Sequence, residues 1–371
     1  YRQNGVDVIQ PLIKRSRRVC LKAGSPFLIC FLVVIVSFKK FKITGRFIRQ
    51  SLGGKSPRIA YAAGWNGHQN LGDEALYDAL KYLFSPAGFI DYPGGLKWKF
   101  ALKMLPHLQM ALLGGGTLIS GKASTLETAK KCFDLCPHPV VFGTGAGHPS
   151  LWVDYLRLPH WRDGLQQWKE VLQKCEYVGV RGPMSAEVVG SLGFDKVEII
   201  GDPVLTLAEE QIPKVELQKT PCLGINIGQA KGYMWGELNN ICEQYVKLAC
   251  MAKKAGWQVK WFVVWPGDIA VTNQVALASN TSGSIYKIYK DWHRYLDLVK
   301  SLNVFVGMKL HSVALATCVY VPSIMLEYQP KCRDYMMSIG QEDVTIRTDH
   351  FEGENVWEMI QTLSGQRQKI S

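Results

Sequence analysis

The sequence predicts an α/β protein built as two Rossmann-like domains. Three observations lead there. Short apolar runs of four to six residues recur along the chain, each ending in a glycine-rich turn that leads into a helical pattern. A polar stretch bounded by Pro213 and Pro221 divides that series into two halves. The 371 residues, 47% of them apolar with 35 glycines, are enough for two packed cores and too apolar for a disordered chain.

The first 57 residues stand apart. Residues 1–58 hold 13 Lys and Arg against Asp7 alone, which leaves 30 residues of each sign for the remainder. The formal charge of +12 therefore sits at the amino end, and the body is neutral on balance. A neutral body argues against a nucleic-acid-binding protein, which carries its basic residues as a patch on the fold. Residues 25–38 form an apolar run between basic clusters, shorter than the ~18 residues a spanning helix needs. The segment reads as an extension outside the fold or as a peripheral contact with an anionic membrane surface. The ten cysteines follow no framework spacing and read as small buried hydrophobes of a reducing compartment. That points to the cytoplasm, with the inner face of the membrane as the surface if the amino-terminal segment makes a peripheral contact, and leaves the Asn280-Thr281-Ser282 sequon without a role.

Residues 58–207 make the first domain. Arg58 to Ala63 is a strand, followed by the loop from Gly64 and a helix whose first turn holds Asp73 and Glu74, where acids suit the helix dipole. Met110 to Leu113 runs into Gly114-Gly115-Gly116, and Pro139 to Phe142 into Gly143-Thr144-Gly145. Three strands ending in such loops bring several backbones close to one sheet edge, where open α/β proteins bind ligands. No P-loop or dinucleotide fingerprint is present, which disfavours an ordinary nucleotide cradle. Glu176 to Val180 is a further strand, with Arg181 at its carboxyl end and Pro183 opening a helix. Residues 208–221 are the linker.

Residues 222–371 repeat the grammar. Cys222 to Ile227 is a strand, a long helix spans Met234 to Ala255, and Gln258 to Val264 is the next strand. Asn303 to Val306 leads through Gly307 into a helix, then a strand ending near Leu326. In this strand–helix–strand unit Lys309, His311, Glu327 and Lys331 all fall at the carboxyl edge. Two such halves imply a cleft faced by both sheet edges.

Six segments together resemble the polysaccharide pyruvyl transferases: Asn70-Leu71-Gly72-Asp73-Glu74-Ala75, Gly114-Gly115-Gly116, Val180-Arg181 with Ser185, Gly201-Asp202-Pro203-Val204-Leu205, Lys309-Leu310-His311, and Tyr328 with Lys331. The resemblance covers residues 58–345. It implies a GT-B-like pair of domains and transfer of the enolpyruvyl unit of phosphoenolpyruvate to a sugar as a ketal, with release of phosphate. It implies Arg181 and His311 as catalytic residues, and Arg181, Lys309, His311 and Lys331 as the donor site. Lys309 is a departure, because the family usually has arginine there, and lysine lacks the planar two-pronged grip.

The residues fit that chemistry. Phosphoenolpyruvate carries about three negative charges, and Arg181, Lys309 and Lys331 supply cations for it. Protonation of its methylene carbon needs an acid, and histidine is the side chain that ordinarily titrates nearest neutrality, which points to His311. Asn70, Asp73, Glu74, Gly115 and Gly116 are candidate acceptor contacts, with helix capping as the plainer alternative for the two acids. The reaction calls for no cofactor and no metal; phosphoenolpyruvate is the donor substrate and the partner is a saccharide, lipid-linked if the basic segment docks on a bilayer. Two alternatives are a GT-B glycosyltransferase that uses a nucleotide sugar and a catalytically silent sugar-binding protein.

Overall fold

The computed structural model describes residues 58–63, 67–91, 108–210 and 217–368. The basic and apolar amino-terminal segment and the middle of the linker lie outside the described residues. By internal packing the described chain falls into two units, residues 67–75 with 207–368 and residues 58–63 with 76–206.

The first unit in chain order is a parallel sheet. Its strands are β1 (Arg58–Ala63), β2 (Gly88–Asp91), β3 (Leu108–Gly114), β4 (Thr117–Ile119), β5 (Pro139–Ala146), β6 (Tyr177–Val180) and β7 (Val197–Ile199). They lie in the order β2-β1-β3-β5-β6-β7, with β4 beside β5. The apolar runs are buried on both faces: Leu112, Leu113, Val141 and Val180 have no exposed surface. One face packs Ile59, Tyr61 and Met110 against Leu80 and Leu83 of the helix Leu71–Leu83 and the following Phe84.

The second unit has β8 (Cys222–Asn226), β9 (Gln258–Val263), β10 (Ile285–Lys287), β11 (Val304–Gly307), β12 (Ser323–Glu327) and β13 (Thr345–Arg347). Every pairing is parallel, in the order β10-β9-β8-β11-β12-β13. Numbered from β8, that is the 3-2-1-4-5-6 order of the doubly wound fold, whose strand order reverses between its first and fourth strands. The switch point therefore lies between β8 and β11, at the carboxyl ends carrying Asn226 and Gly307.

Two boundaries differ from the sequence expectation. The long helix begins at Leu238 rather than Met234, because Gly236 takes a left-handed φ of 70° and Glu237 is extended. Residues 67–75 pack with the second unit although they follow β1 in sequence. The Leu71 N–H donates to Val264 O at 3.0 Å across that packing, and Gly72 abuts His311. Among the described residues no helix is long and apolar enough to cross a membrane.

Candidate functional site

The site at the switch point of the second unit is organised by a buried asparagine. Asn226, the last residue of β8, has no exposed surface, and all its polar atoms are used. Its Nδ2 donates to Phe262 O at 2.8 Å. Its Oδ1 accepts from Lys309 N at 2.9 Å and Ser312 Oγ at 3.0 Å, and its backbone oxygen from Met308 N at 3.1 Å. These bonds fix the turn between β11 and the helix Leu310–Cys318, so His311 sits in that helix's first turn in a set orientation. Gly307 keeps the turn tight: a Cβ there would lie 2.6 Å from Val313 Cγ2.

The amino-terminal loop and helix start press onto this turn. Asn70 caps the helix, its Oδ1 accepting from Gly72 N at 3.1 Å, and Glu74 Oε1 accepts from Gly67 N at 2.7 Å. Glu74 is thus engaged in holding its own loop. Gly72 lies against the His311 ring, where an added Cβ would be 2.3 Å from Nδ1. Asp73, beside it and half-buried, has its carboxyl pushed up by burial and pulled partly back by the His311 and Lys331 charges. His311, Lys331, Glu74 and His68 are the charged groups that act on Asp73, and Asp73, His311 and Lys331 come from the starts of three helices. Lys331 stands 4.8 Å from the Tyr328 ring centroid, a cation over an aromatic face.

Other expected site residues are held differently. The Lys309 ammonium is 3.5 Å from Asp268 Oδ2 and donates to Gln229 O at 3.0 Å. Glu327 is buried, and its Oε2 accepts from Arg333 Nε at 2.7 Å. Arg181 belongs to the other unit, where its side chain is buried 4.0 Å from Asp202 and donates to Gly116 O at 3.3 Å and Thr117 Oγ1 at 3.4 Å. Gly145 closes over it, since a Cβ there would be 2.2 Å from Nη2. Its guanidinium thus ties the β3–β4 turn to the Gly201-Asp202-Pro203 segment. Gly115 and Gly116, with φ of 69° and 62°, shape that same turn, and their carbonyls accept from Thr144 Oγ1 at 2.9 Å and Gly145 N at 2.8 Å.

The sequence matches the polysaccharide pyruvyl transferase family over residues 70–330. The chain belongs to that family. The architecture is of GT-B type, and solved structures similar to it include two. One is a candidate UDP-N-acetylglucosamine 2-epimerase from Listeria monocytogenes, at 10% identity and a TM-score of 0.53, covering 84% of this chain and 90% of that one. The other is the S. aureus MnaA–UDP co-structure, at 13% identity and a TM-score of 0.52, covering 83% and 87%. The E. coli ADP-heptose LPS heptosyltransferase II also aligns, at 14% identity and a TM-score of 0.45, over 84% of this chain and 99% of that one. No curated protein matches the sequence significantly.

Within this transferase, sequence reasoning missed Asn226 and Gln229 and left Asp268 without a role. The signal for Asn226 was present: one amide ending an otherwise apolar strand, Cys-Leu-Gly-Ile-Asn, is a buried polar group that requires partners. Asp268 and Gln229 lie in loops with no such mark.

Proposed function

We propose that this protein transfers the enolpyruvyl unit of phosphoenolpyruvate to two hydroxyls of a saccharide, forming a pyruvate ketal and releasing phosphate. The observation that carries this reading is the family match over residues 70–330, which holds Asp73 and His311 and ends one residue before Lys331. In the proposed reaction Lys331 and the start of the helix Leu310–Cys318 hold the anionic donor. His311 delivers its proton to the methylene carbon, and C2 becomes an oxocarbenium-like centre. One sugar oxygen bonds to C2, and its proton passes through Asp73, whose carboxyl burial suits a base, to restore His311. The C2–O bond to phosphate then breaks, the second sugar oxygen bonds to C2, and its proton leaves with the phosphate. Atoms balance without a further reactant or cofactor.

The acceptor in this proposal is a lipid-linked saccharide at the inner face of the membrane, because the 13 basic residues of 1–58 would hold the protein to an anionic bilayer. The test is incubation with phosphoenolpyruvate labelled in its carbon skeleton and a panel of soluble and lipid-linked saccharides. Label in the glycan and released phosphate are expected in equal amounts, and both should fall by about 10²-fold or more in His311→Ala. Full turnover of His311→Ala at saturating donor would remove His311 from the chemistry. Transfer from a nucleotide sugar, with none from phosphoenolpyruvate, would replace the proposal by a glycosyltransferase.

A further inference from the structure

The Lys309 side chain is occupied from the protein side. Its ammonium meets Asp268 Oδ2 at 3.5 Å and Gln229 O at 3.0 Å, with the Trp265 ring 5.2 Å and the Tyr328 ring 5.6 Å from it. Asp268 has no exposed surface, and its Oδ1 accepts from Gln229 N at 3.0 Å. Gln229 Nε2 in turn donates to Gly267 O at 2.6 Å, which locks the two loops around the pair. Gly228 comes so close that a Cβ there would lie 2.2 Å from Lys309 Cε. This cradle follows an unbranched aliphatic stem tipped by a compact charge.

We infer that Asp268 is a positioning residue: its carboxylate anchors and neutralises Lys309, which holds the turn carrying His311 and leaves the grip on the donor to Lys331. The physical argument is that a buried carboxylate requires a paired cation. Gln229 braces the pair on both sides, its N–H donating to Asp268 Oδ1 and its carbonyl accepting from the ammonium, while Oδ2 has the ammonium at ion-pair distance and no hydrogen bond. An ammonium used in this way adds no net attraction for a trianionic ligand. The backbone N–H of the same residue is bonded to Asn226, so pulling on the side chain pulls on the start of the His311 helix.

This inference rests on the phosphoenolpyruvate reading for its kinetic arm only. The experiment is a double-mutant cycle of Asp268→Asn, Lys309→Met and the combined variant, followed by phosphate release against phosphoenolpyruvate concentration and by thermal unfolding without substrate. Asp268→Asn is expected to lower kcat at least tenfold while KM for phosphoenolpyruvate falls, because the released ammonium adds a charge the donor can meet. A loss of folded protein alone would not lower KM. Lys309→Met should lower kcat with KM changed by less than twofold, and the combined variant should regain most of the lost kcat. In thermal unfolding each single variant should melt below wild type, with the combined variant above the lower single. A tenfold rise in KM for Lys309→Met that Asp268→Asn does not relieve would overturn the inference and return Lys309 to the donor site. Additive losses in the melting temperature would also overturn it. If wild type releases no phosphate, the melting arm alone decides, so failure of the substrate assignment is told apart from failure of the pair.

Discussion

Replacing Gly72 with alanine isolates the contact that brings the amino-terminal helix start to His311. Gly72 needs no left-handed backbone, so the effect is steric alone. The added Cβ would lie 2.3 Å from His311 Nδ1 and 2.6 Å from its Cβ and Cγ. Ordinary contact begins near 3.4 Å, so the imidazole or the helix start must give way by about 1 Å. Overpacking of this kind costs ~1–3 kcal/mol, against which alanine in a helix recovers ~1 kcal/mol over glycine. The net loss of stability is thus about 0–2 kcal/mol, a shift of a few degrees in melting temperature. A displacement of ~1 Å at a reacting group costs roughly 10²-fold in rate. Gly72→Ala is therefore expected to remain folded while phosphate release at saturating phosphoenolpyruvate falls by about two orders of magnitude. Thermal unfolding by circular dichroism and a phosphate-release assay on the same preparation separate the two effects. Wild-type turnover in a folded Gly72→Ala protein would refute the placement of His311 as the proton donor at this contact.

Other outcomes follow from the same geometry. Lys331→Met should raise KM for phosphoenolpyruvate about tenfold with little change in unfolding, since a ligand-facing ammonium is worth ~1.4 kcal/mol or more; an unchanged KM in isothermal or kinetic titration would remove it from the donor site. Asp202→Ala should remove the carboxylate beside the buried Arg181 charge and lower the stability of its unit by ~3–5 kcal/mol, read as a fall in the urea midpoint; an unchanged midpoint would show that the pair is not needed. Burial raises the Asp73 carboxyl above its ordinary value, so the folded state binds that proton more tightly than the unfolded one. Its share of stability is then highest below the ordinary carboxylate range and is lost as pH rises through the raised value. Asp73→Asn should flatten that part of the stability profile relative to wild type while abolishing most turnover, and a parallel profile would mean that Asp73 is not buried in this way.

The alternation of apolar strand, glycine turn and helix was readable directly, since a strand buried on both faces must be a short continuous apolar run. The central strands of the β8–β13 sheet follow this rule, with Leu223, Val304 and Ile324 wholly buried, whereas the edge strands β10 and β13 are only partly buried and were not read from the sequence. His311, Lys331 and Asp73 were legible as residues at strand ends and helix starts. What could not be read was which way each charge faces. Arg181 ends a strand as expected, yet Asp202, 21 positions on, turns its guanidinium inward. Asn226, 83 positions before Lys309, was invisible as the hub of the turn because nothing local to either residue records the bond.

The sequence by itself determined the class of fold, its central strands and the family, because hydrophobic period and turn chemistry are local properties that each segment carries alone. Only the tertiary structure decided that residues 67–75 pack with the carboxyl-terminal sheet, that Asp73 shares an electrostatic group with His311 and Lys331, and that Lys309 is paired with Asp268. These are matters of burial and charge compensation between residues separated by tens to hundreds of positions. An ionic side chain in a partly dry environment takes its role from whichever partner the packing brings within reach.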